Sequence, residues 1–319
     1  METVFISSGI PDDLRERLAK RYRVVDVPEG TTEGFAAYGE PAGWFMDGGT
    51  PVNAAVLAQL PTLRAVSNHG VGYDSVDVPA ATSAGVTVSN TPEVLDNAVA
   101  ELTLGLILAL GRGIVKYDRY VRDGSWEREW PPYTNDVHGK TLGVVGMGRI
   151  GRRLAELVQP LGIEVLYHNR SKNPAIDESG VATHAEWEDM LQRSDFVSLH
   201  TPLTERTRGF FVKEDFDLMK PTAYLINMAR GAVVNTDDLI AALKNGTIAG
   251  AALDVFEEEP LPASHELLTL DNVIVQPHNG SATVETRRAM VALGIENLED
   301  MLEGRRPRTP LNWDDIHSS

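Results

Sequence analysis

The sequence predicts an α/β protein of two domains, each built on a parallel sheet. Short apolar segments of strand length alternate with polar or amphipathic segments of helix length, which is typical of strands joined by crossover helices. This alternation runs through the first third of the chain and starts again at residue 141. A chain of 319 residues is also longer than a single hydrophobic core usually organises, which favours two domains.

The first third of the chain contains the elements of one such sheet. Its apolar segments predict strands at residues 4–6, 23–27, 63–67 and 86–89. The segments between them predict helices at residues 11–20, 53–60 and 78–84. Residues 30–50 mix glycine, proline and aromatic residues, so they predict a loop with room for one strand.

Residues 97–120 predict one long helix between the two alternations. Its apolar positions are nearly continuous from residue 98 to residue 110, which indicates burial on most faces of the helix. Such a helix suits a connector between domains or a surface that meets a second copy of the chain. The following residues, 124–135, are rich in tryptophan and proline and predict a loop along the surface.

The second alternation contains the elements of the other sheet. Its strands are predicted at residues 142–145, 163–167, 196–199, 223–226, 249–253 and 273–275. Its helices are predicted at residues 149–161, 185–192, 213–218 and 236–244. A last amphipathic helix, residues 282–303, lies beyond this sheet in the chain, and we expect it to pack back on the first domain.

Composition and charge exclude several classes of function. The formal charge of −17 disfavours a nucleic-acid partner, because phosphate binding needs clustered lysine and arginine. The chain has no cysteine, so disulfides and thiolate chemistry are excluded. The longest apolar run, residues 102–110, is shorter than the roughly 20 residues of a membrane helix. With no signal peptide at its start, the chain is expected to be cytoplasmic.

A glycine-rich turn follows the first strand of the second sheet. Residues 146–151 spell Gly-Met-Gly-Arg-Ile-Gly, directly after the strand at 142–145 and at the start of a helix. Glycines in this pattern permit a tight turn and let backbone N–H groups approach a pyrophosphate at the positive end of the helix dipole. A Gly-x-Gly-x-x-Gly alone is a weak signal, but the strand before it and the helix after it favour a dinucleotide site.

The residues at the end of the next strand indicate whether the dinucleotide is NAD(H) or NADP(H). An NAD site usually carries Asp or Glu about 20 residues beyond the glycines, where it binds the ribose hydroxyls. Here residues 167–172 are Tyr-His-Asn-Arg-Ser-Lys, without a carboxylate. Asn169 leaves room for a 2′-phosphate, Arg170 can pair with it, and Ser171 and Lys172 add a hydroxyl and a charge. The pattern favours NADP(H) over NAD(H); the alternative is a solvated basic loop.

Three more motifs follow predicted strands, at the edge where open α/β sheets bind ligands. Arg230 follows the strand at 223–226, Glu259 ends an acidic run after the strand at 249–253, and His278 follows the strand at 273–275. Taken alone, the arginine and the histidine are equally explained by a surface or structural role, and the acidic run is most often a solvated loop. Together they suit reduction of a 2-keto acid: Arg230 can hold the carboxylate, His278 can supply a proton, and Glu259 can stabilise the imidazolium.

These motifs, in this order, resemble those of the D-isomer-specific 2-hydroxyacid dehydrogenases over nearly the whole chain. The matching segments are residues 146–151, residues 200–204 (His-Thr-Pro-Leu-Thr), residues 228–231 (Met-Ala-Arg-Gly), residues 251–256 with 259–260, and residues 277–278 with 280–283. The resemblance implies a carboxylate-binding and carbonyl-activating role for Arg230 and an acid/base relay of Glu259 and His278. It also implies that Asp254 binds the nicotinamide carboxamide and that Val71 and Gly72 offer backbone amides to the substrate.

The residues assigned to the cofactor, from the turn and from the resemblance, are Gly146, Gly148, Arg149, Ile150, Gly151, Asn169, Arg170, Ser171, Thr201, Pro202, Thr207, Met228, Arg230, Asp254, His278 and Gly280. Substrate binding is assigned to Val71, Gly72, Arg230 and His278. No metal is expected, because the histidines lack ligand spacing and hydride transfer needs none.

The resemblance also implies a domain architecture and a particular branch of the family. Residues 1–96 and 282–319 would form a flavodoxin-like catalytic domain, residues 97–281 an inserted Rossmann domain, and two chains a homodimer. Residues 169–171 resemble the glyoxylate/hydroxypyruvate reductase branch, and because the sequence ends at residue 319, shortly after its last helix, we expect no regulatory domain. The alternatives are an NAD-dependent D-2-hydroxyacid or 2-ketogluconate dehydrogenase and, from another class, a non-enzymatic dinucleotide-sensing corepressor.

Overall fold

The computed structural model describes residues 1–317. The chain divides into two compact units, residues 1–95 with 282–317, and Asp96–Ser281. The sequence predicts the first boundary one residue later, between residues 96 and 97, and the second boundary between residues 281 and 282. No single helix of the described residues is long and apolar enough to cross a membrane. The two consecutive helices Asp96–Gly111 and Ile114–Arg122 would together be long and apolar enough, but the chain bends by 58° between them.

The elements follow one another along the chain as strands and crossover helices. The strands are β1 (Thr3–Ile6), β2 (Arg23–Asp26), β3 (Pro41–Asp47), β4 (Ala65–His69), β5 (Thr87–Ser89), β6 (Thr141–Val145), β7 (Glu164–His168), β8 (Thr183–His184), β9 (Phe196–Leu199), β10 (Tyr224–Asn227), β11 (Gly250–Leu253) and β12 (Val273–Val275). The α-helices are α1 (Asp12–Ala19), α2 (Ala54–Leu57), α3 (Val78–Ser83), α4 (Asp96–Gly111), α5 (Ile114–Arg122), α6 (Arg149–Val158), α7 (Pro174–Ser179), α8 (Trp187–Arg193), α9 (Lys213–Leu218), α10 (Thr236–Lys244), α11 (Val284–Leu302) and α12 (Trp313–His317). Short 3₁₀ helices lie at Phe35–Ala37, Ser125–Glu127, Gln159–Leu161, Gly231–Val233 and Glu266–Thr269.

The first unit is a five-stranded parallel sheet in the order β2-β1-β3-β4-β5. Helices α1 and α11 cover one face, where Leu18 and Leu298 join a buried cluster with Val4. Helices α2 and α3 cover the other face, where Val56 and Ala81 pack in a second cluster. The α/β class and the parallel sheet are confirmed, and the last long helix packs on the first unit as expected.

Strand β3 occupies part of the region for which the sequence predicts only a loop with room for a strand. It lies between β1 and β4, and all its residues except the last are buried. Burial on both faces removes the polar/apolar alternation by which a half-buried strand is recognised. A Cβ atom on Gly43 would lie 3.0 Å from a Leu298 methyl group and 3.1 Å from a Leu302 methyl group, so this glycine lets α11 pack closely on β3.

The second unit is a seven-stranded parallel sheet in the order β12-β11-β10-β9-β6-β7-β8. The strand order reverses between β6 and β9, because the chain moves from β6 outward to β8 and then returns to β9 on the other side. Such a reversal leaves a crevice at the carboxyl ends of the two strands, where open α/β sheets bind ligands. The glycine turn follows β6 and therefore lies at this point.

The prediction of one long helix over residues 97–120 is wrong, because the chain forms α4 and α5 with a bend of 58° between them. Gly113 has a φ of +61°, in the left-handed region that ends a helix and that favours glycine. Gly111 closes α4 where a Cβ atom would lie 2.7 Å from Val137. Apolar residues stand on both sides of this Gly-Arg-Gly segment, and they conceal the break.

Candidate active site

A cleft of about 720 Å³ lies at the carboxyl ends of β6, β7 and β9. Its wall is formed by the glycine turn after β6, by residues 168–171 after β7, and by the loop of residues 201–210 after β9. The predicted cofactor residues Asn169, Arg170 and Ser171 are among those that line it. The cleft is large enough for part of a dinucleotide, since small-molecule sites typically measure about 300–1,000 Å³.

The three glycines of the turn have three different environments. Gly146 has a φ of +93°, and a Cβ atom there would lie 2.9 Å from the His200 carbonyl carbon. A Cβ atom on Gly151 would lie 2.9 Å from the Gly146 oxygen, so this glycine lets α6 pack closely on the turn. Gly148 has no atom within 4 Å of its Cβ position. The turn is therefore tightly packed on its inner side and bare on its outer side, which fits a pyrophosphate at the start of α6.

Two of the predicted cofactor residues hold the turn in place. The Met147 N–H donates to the Asn169 side-chain oxygen over 2.6 Å, which joins the glycine turn to the end of β7. Arg149 forms an ion pair with Asp96, with 3.2 Å between Nε and Oδ2. Asn169 thus does more than leave space for a phosphate, because its side chain fixes the loop that would contact the pyrophosphate.

The part of the cleft beside β7 is cationic. Arg170 and Ser171 are exposed and line it, whereas Lys172 forms an ion pair with Asp177 at 3.6 Å and is not among the lining residues. Arg206, which belongs to none of the sequence motifs, lines the same cleft from the loop after β9. None of the described residues that line the cleft is an aspartate or a glutamate.

The loop after β9 is shaped by its own hydroxyl groups. The Thr207 hydroxyl donates to the Pro202 carbonyl over 2.7 Å and accepts from the Thr204 N–H over 2.8 Å. The Thr201 hydroxyl donates to the same Pro202 carbonyl over 3.1 Å. Thr201, Pro202 and Thr207 all line the cleft, so the predicted residues form one hydrogen-bonded wall.

On the other half of the sheet, the structure brings Glu259 and His278 into contact. The Glu259 Oε2 atom lies 2.7 Å from His278 Nδ1, and the other carboxylate oxygen accepts from the Phe256 N–H over 2.8 Å. His278 has a φ of +51°, a conformation that is costly for a residue with a side chain. With Nδ1 engaged by the carboxylate, Nε2 is the nitrogen left for a substrate.

The Glu259 carboxylate is held in its ionised form. Partial burial by itself would raise its pKa, but hydrogen bonds from His278 and from the Phe256 N–H outweigh burial. The positive charges of His278 and Arg230 act in the same direction, so the pKa of Glu259 lies below its ordinary value. The carboxylate at Nδ1 fixes the orientation of the imidazole ring.

Asp254 holds the loop that carries His278. Its two carboxylate oxygens accept from the Asn279 N–H over 2.8 Å and from the Gly280 N–H over 2.9 Å. The residue is 2% exposed, and burial raises the pKa of its carboxyl, although the two N–H donors oppose this shift. No local sequence signal reveals this anchoring contact, because it depends on two backbone groups 25 and 26 residues away.

Arg230 lies on the loop beside Glu259. Its backbone oxygen accepts from the Asn227 side chain over 3.0 Å, and its Nη1 atom donates to the Ala229 carbonyl over 2.9 Å. A Cβ atom on Gly231 would lie 1.9 Å from the Phe256 carbonyl carbon, so the loops after β10 and β11 touch through their backbones. Only glycine permits this approach, which places the guanidinium close enough to lower the pKa of Glu259.

A second anion-binding candidate lies in the first unit, after β4. The carbonyls of residues 70–72 accept from the Asn68 side chain, the Asn90 side chain and the Thr91 N–H. The N–H groups of Val71 and Gly72 have no acceptor among residues 1–317. With the carbonyls tied down and the amides free, this loop has the character of an anion-binding nest.

The other histidine of the matched motifs has a different environment. His200 is buried, its Nε2 atom lies 2.8 Å from the Ser198 hydroxyl, and burial lowers its pKa to about 4. The imidazole is therefore neutral near pH 7 and is unsuited to act as the proton donor. No group of three or more histidine, aspartate or glutamate side chains in residues 1–317 could hold a metal ion.

Comparisons with known proteins identify the family of this chain. The family model described as "D-isomer specific 2-hydroxyacid dehydrogenase, NAD binding domain" matches residues 104–280. A glyoxylate reductase of Thermofilum pendens is 45% identical over 267 residues, which cover 82% of this chain and 78% of that protein.

Solved structures are similar over almost the whole chain. An NADPH-dependent glyoxylate/hydroxypyruvate reductase of Sinorhizobium meliloti, in complex with NADP and malonate, has a TM-score of 0.88 at 33% identity, over 97% of this chain and 96% of that one. A protein of Thermus thermophilus has a TM-score of 0.88 at 38% identity, over 97% of this chain and 99% of that one.

Proposed function

The chain belongs to the D-isomer-specific 2-hydroxyacid dehydrogenase family and is an NAD(P)-dependent oxidoreductase of CH–OH groups, and on that premise we propose that it reduces small 2-keto acids with NADPH. The proposed substrates are glyoxylate and hydroxypyruvate, the products are the corresponding 2-hydroxy acids, and the proposed stereochemistry of a chiral product is D. The relatives named glyoxylate reductase support this substrate class.

The observation that carries the proposal is the contact of 2.7 Å between Glu259 and His278, beside the Arg230 loop. An ordinary surface histidine has no need of a positioned carboxylate at one nitrogen and a left-handed backbone. A proton donor has this need, because its ring must be oriented and its charged form stabilised. A dinucleotide sensor would bind its ligand without such a pair, so the pair favours an enzyme over the corepressor.

The chemistry of the proposed reaction divides among these residues. When bound, the nicotinamide would supply a hydride to the keto carbon of the substrate. Arg230 binds the carboxylate and polarises the keto oxygen. His278 gives its Nε2 proton to that oxygen as the C=O π bond breaks and the new C–H and O–H bonds form, while Glu259 keeps the imidazole oriented. The free N–H groups of Val71 and Gly72 are assigned to the acid group of the substrate.

The proposed preference for NADPH is supported by the composition of the cleft beside β7. A ribose with two free hydroxyls is normally bound by a carboxylate, and no described lining residue carries one. Arg170 and Ser171 offer a cation and a hydroxyl to a 2′-phosphate instead. The cytoplasmic location expected from the sequence stays a prediction.

Steady-state kinetics test the proposed function. Purified protein should oxidise NADPH with glyoxylate and with hydroxypyruvate, and kcat/KM should be higher with NADPH than with NADH. Arg170→Ala should lower kcat/KM for NADPH more than for NADH. No turnover across a broad panel of 2-keto acids with either cofactor would contradict the enzyme and favour the sensor; equal losses with both cofactors would contradict the role of Arg170.

We also propose that two copies form a homodimer through the second unit. Helix α5 has no buried residue, and large apolar side chains on it and on the following loop are exposed. At least half of each side chain is exposed at Ile114, Val121, Trp126, Trp130 and Tyr133. An apolar surface of this kind is typical of an interface. Light scattering of the purified chain should give the mass of a dimer; a monomer would contradict it.

A further inference from the structure

Two arginine residues line the cleft from loops that follow different strands. Arg170 follows β7, and Arg206 lies on the loop after β9. Both are exposed, and neither forms an ion pair or a side-chain hydrogen bond within residues 1–317. Many other arginines of this acidic chain are paired with carboxylates, such as Arg149 with Asp96 and Arg193 with Asp189, although Arg208 is not.

The absence of a partner is informative because of the overall charge. In a chain with a formal charge of −17, a carboxylate partner for an arginine is easily supplied by the sequence. Here the described lining contains none, so two arginines line one cleft without a carboxylate partner there. Two guanidiniums that share a volume repel one another, and a dianion between them relieves that repulsion.

The backbone of Arg206 is held in place. The Thr207 N–H donates to the Thr204 carbonyl over 3.1 Å, and the Arg208 N–H donates to the same oxygen over 3.0 Å, so residues 204–208 form a closed turn. The turn is further bonded by the Thr204 and Thr207 side chains. Arg206 is thus presented from a defined backbone position, and only its side chain needs to be ordered when an anion binds.

We infer that Arg206 is a second recognition residue for the 2′-phosphate of NADP(H), which it contacts from the side opposite Arg170. The inference rests on the proposed use of NADPH and goes beyond it, because it assigns specificity to the loop after β9. A phosphate monoester dianion has enough oxygens to accept from both guanidiniums at once. NAD(H), which carries no charge at that position, gains nothing from Arg206.

The test measures binding rather than turnover, with 2′,5′-ADP as the probe and ADP as the reference, by calorimetric titration. Wild type should bind 2′,5′-ADP more tightly than ADP. Arg206→Ala should weaken binding of 2′,5′-ADP about 10- to 100-fold, the range for one lost hydrogen bond to a charged group, and leave ADP unchanged. Arg206→Gln, which keeps most of the side-chain length, should behave in the same way.

Arg208→Ala is the matched control. Arg208 lies two residues away, is exposed, has no ion pair within residues 1–317, and is not among the described lining residues. Its removal changes the net charge equally and should leave both dissociation constants unchanged. The same loss of 2′,5′-ADP binding in both variants would show a long-range charge effect and overturn the inference.

The failure of this inference is distinguishable from failure of the proposed function. Unchanged binding of 2′,5′-ADP by Arg206→Ala, with a loss in Arg170→Ala, overturns the role of Arg206 and keeps NADPH as the cofactor. A wild type that binds 2′,5′-ADP and ADP equally overturns both. With both roles correct, the double variant should bind the two ligands with similar affinity.

Discussion

The two halves of the seven-stranded sheet end in two different kinds of site. At the carboxyl ends of β10, β11 and β12, the polar groups bond to one another: Glu259 to His278 and Asp254 to two backbone N–H groups. At the ends of β6, β7 and β9, the glycine turn is bare on its outer side, and Arg170 and Arg206 have no carboxylate partner within residues 1–317.

The difference separates two physical strategies. The half that we propose for proton transfer is organised before any ligand arrives, so little reorganisation remains for the reaction itself. The half that we propose for the cofactor leaves its cations to be neutralised by the ligand, so the energy of pairing becomes binding energy and specificity. Substitutions in the first half should therefore change turnover and folding, whereas substitutions in the second should change affinity.

The largest effect is expected at His278. His278→Gln keeps a polar side chain but removes the proton donor, so kcat for glyoxylate reduction should fall about 10²- to 10⁴-fold. The dissociation constant of 2′,5′-ADP should stay the same, because His278 lies on the other half of the sheet. Stopped-flow or steady-state NADPH oxidation and calorimetric titration measure the two quantities. A variant with wild-type kcat would exclude His278 as the donor.

Alanine substitutions at Gly231 and Gly148 should have smaller effects, and these effects should differ between the two halves of the sheet. Alanine at position 231 would place a Cβ atom 1.9 Å from the Phe256 carbonyl carbon, so Gly231→Ala should lower the free energy of unfolding by at least about 1–3 kcal/mol. It should also lower kcat, because the loops that carry Arg230 and Glu259 are forced apart. Urea denaturation and NADPH oxidation measure the two effects.

Gly148→Ala is the counterpart in the open half. No atom lies within 4 Å of its Cβ position, so the free energy of unfolding should stay within about 0.5 kcal/mol of wild type. Binding of NADPH should weaken, because the added methyl group occupies the side of the turn where the pyrophosphate would lie. A destabilised Gly148→Ala, or a Gly231→Ala as stable as wild type, would contradict the division into a packed half and an open half.

Much of this fold is accessible from the sequence, because strand-length apolar segments and the elements between them are local signals. The helices predicted at residues 213–218 and 236–244 have the observed bounds of α9 and α10. Where the prediction is wrong or incomplete, the decisive feature is not local. Gly113 breaks a helix that its apolar neighbours favour, and β3 lacks alternation because both of its faces are covered.

The candidate site shows the same limit. Arg230, Glu259 and His278 can be chosen from the sequence because each follows a strand, and parallel strands end at one edge of the sheet. Arg206 and the anchoring role of Asp254 cannot, because they depend on which loops face one another across the reversal of strand order and on backbone donors distant in the chain. The position of a residue in the sequence indicates that it lies at the carboxyl edge of the sheet. Its contacts with residues distant in the chain are given only by the folded structure.

The smallest expected effect concerns the pH dependence of stability at Glu259. A carboxyl whose pKa is lowered by folding stabilises the folded state fully above its ordinary pKa, and this contribution is lost as the pH falls through the lowered value. Glutamine cannot titrate, so the difference in unfolding free energy between wild type and Glu259→Gln should be present at neutral pH and shrink in acid. Urea denaturation of both proteins over this pH range measures it.

The comparison uses the difference between wild type and Glu259→Gln because folding also lowers the pKa of other carboxyl groups. The pKa values of Asp13 and Asp26 are lowered by hydrogen bonds to Arg288 and Arg15, so wild type should lose stability in acid for several reasons at once. Those contributions are present in both proteins and cancel in the difference. A difference that stays constant from neutral to acid pH would mean that Glu259 titrates as it does in the unfolded chain. The packed half of the sheet would then lack the preorganised carboxylate contact on which its contrast with the open half depends.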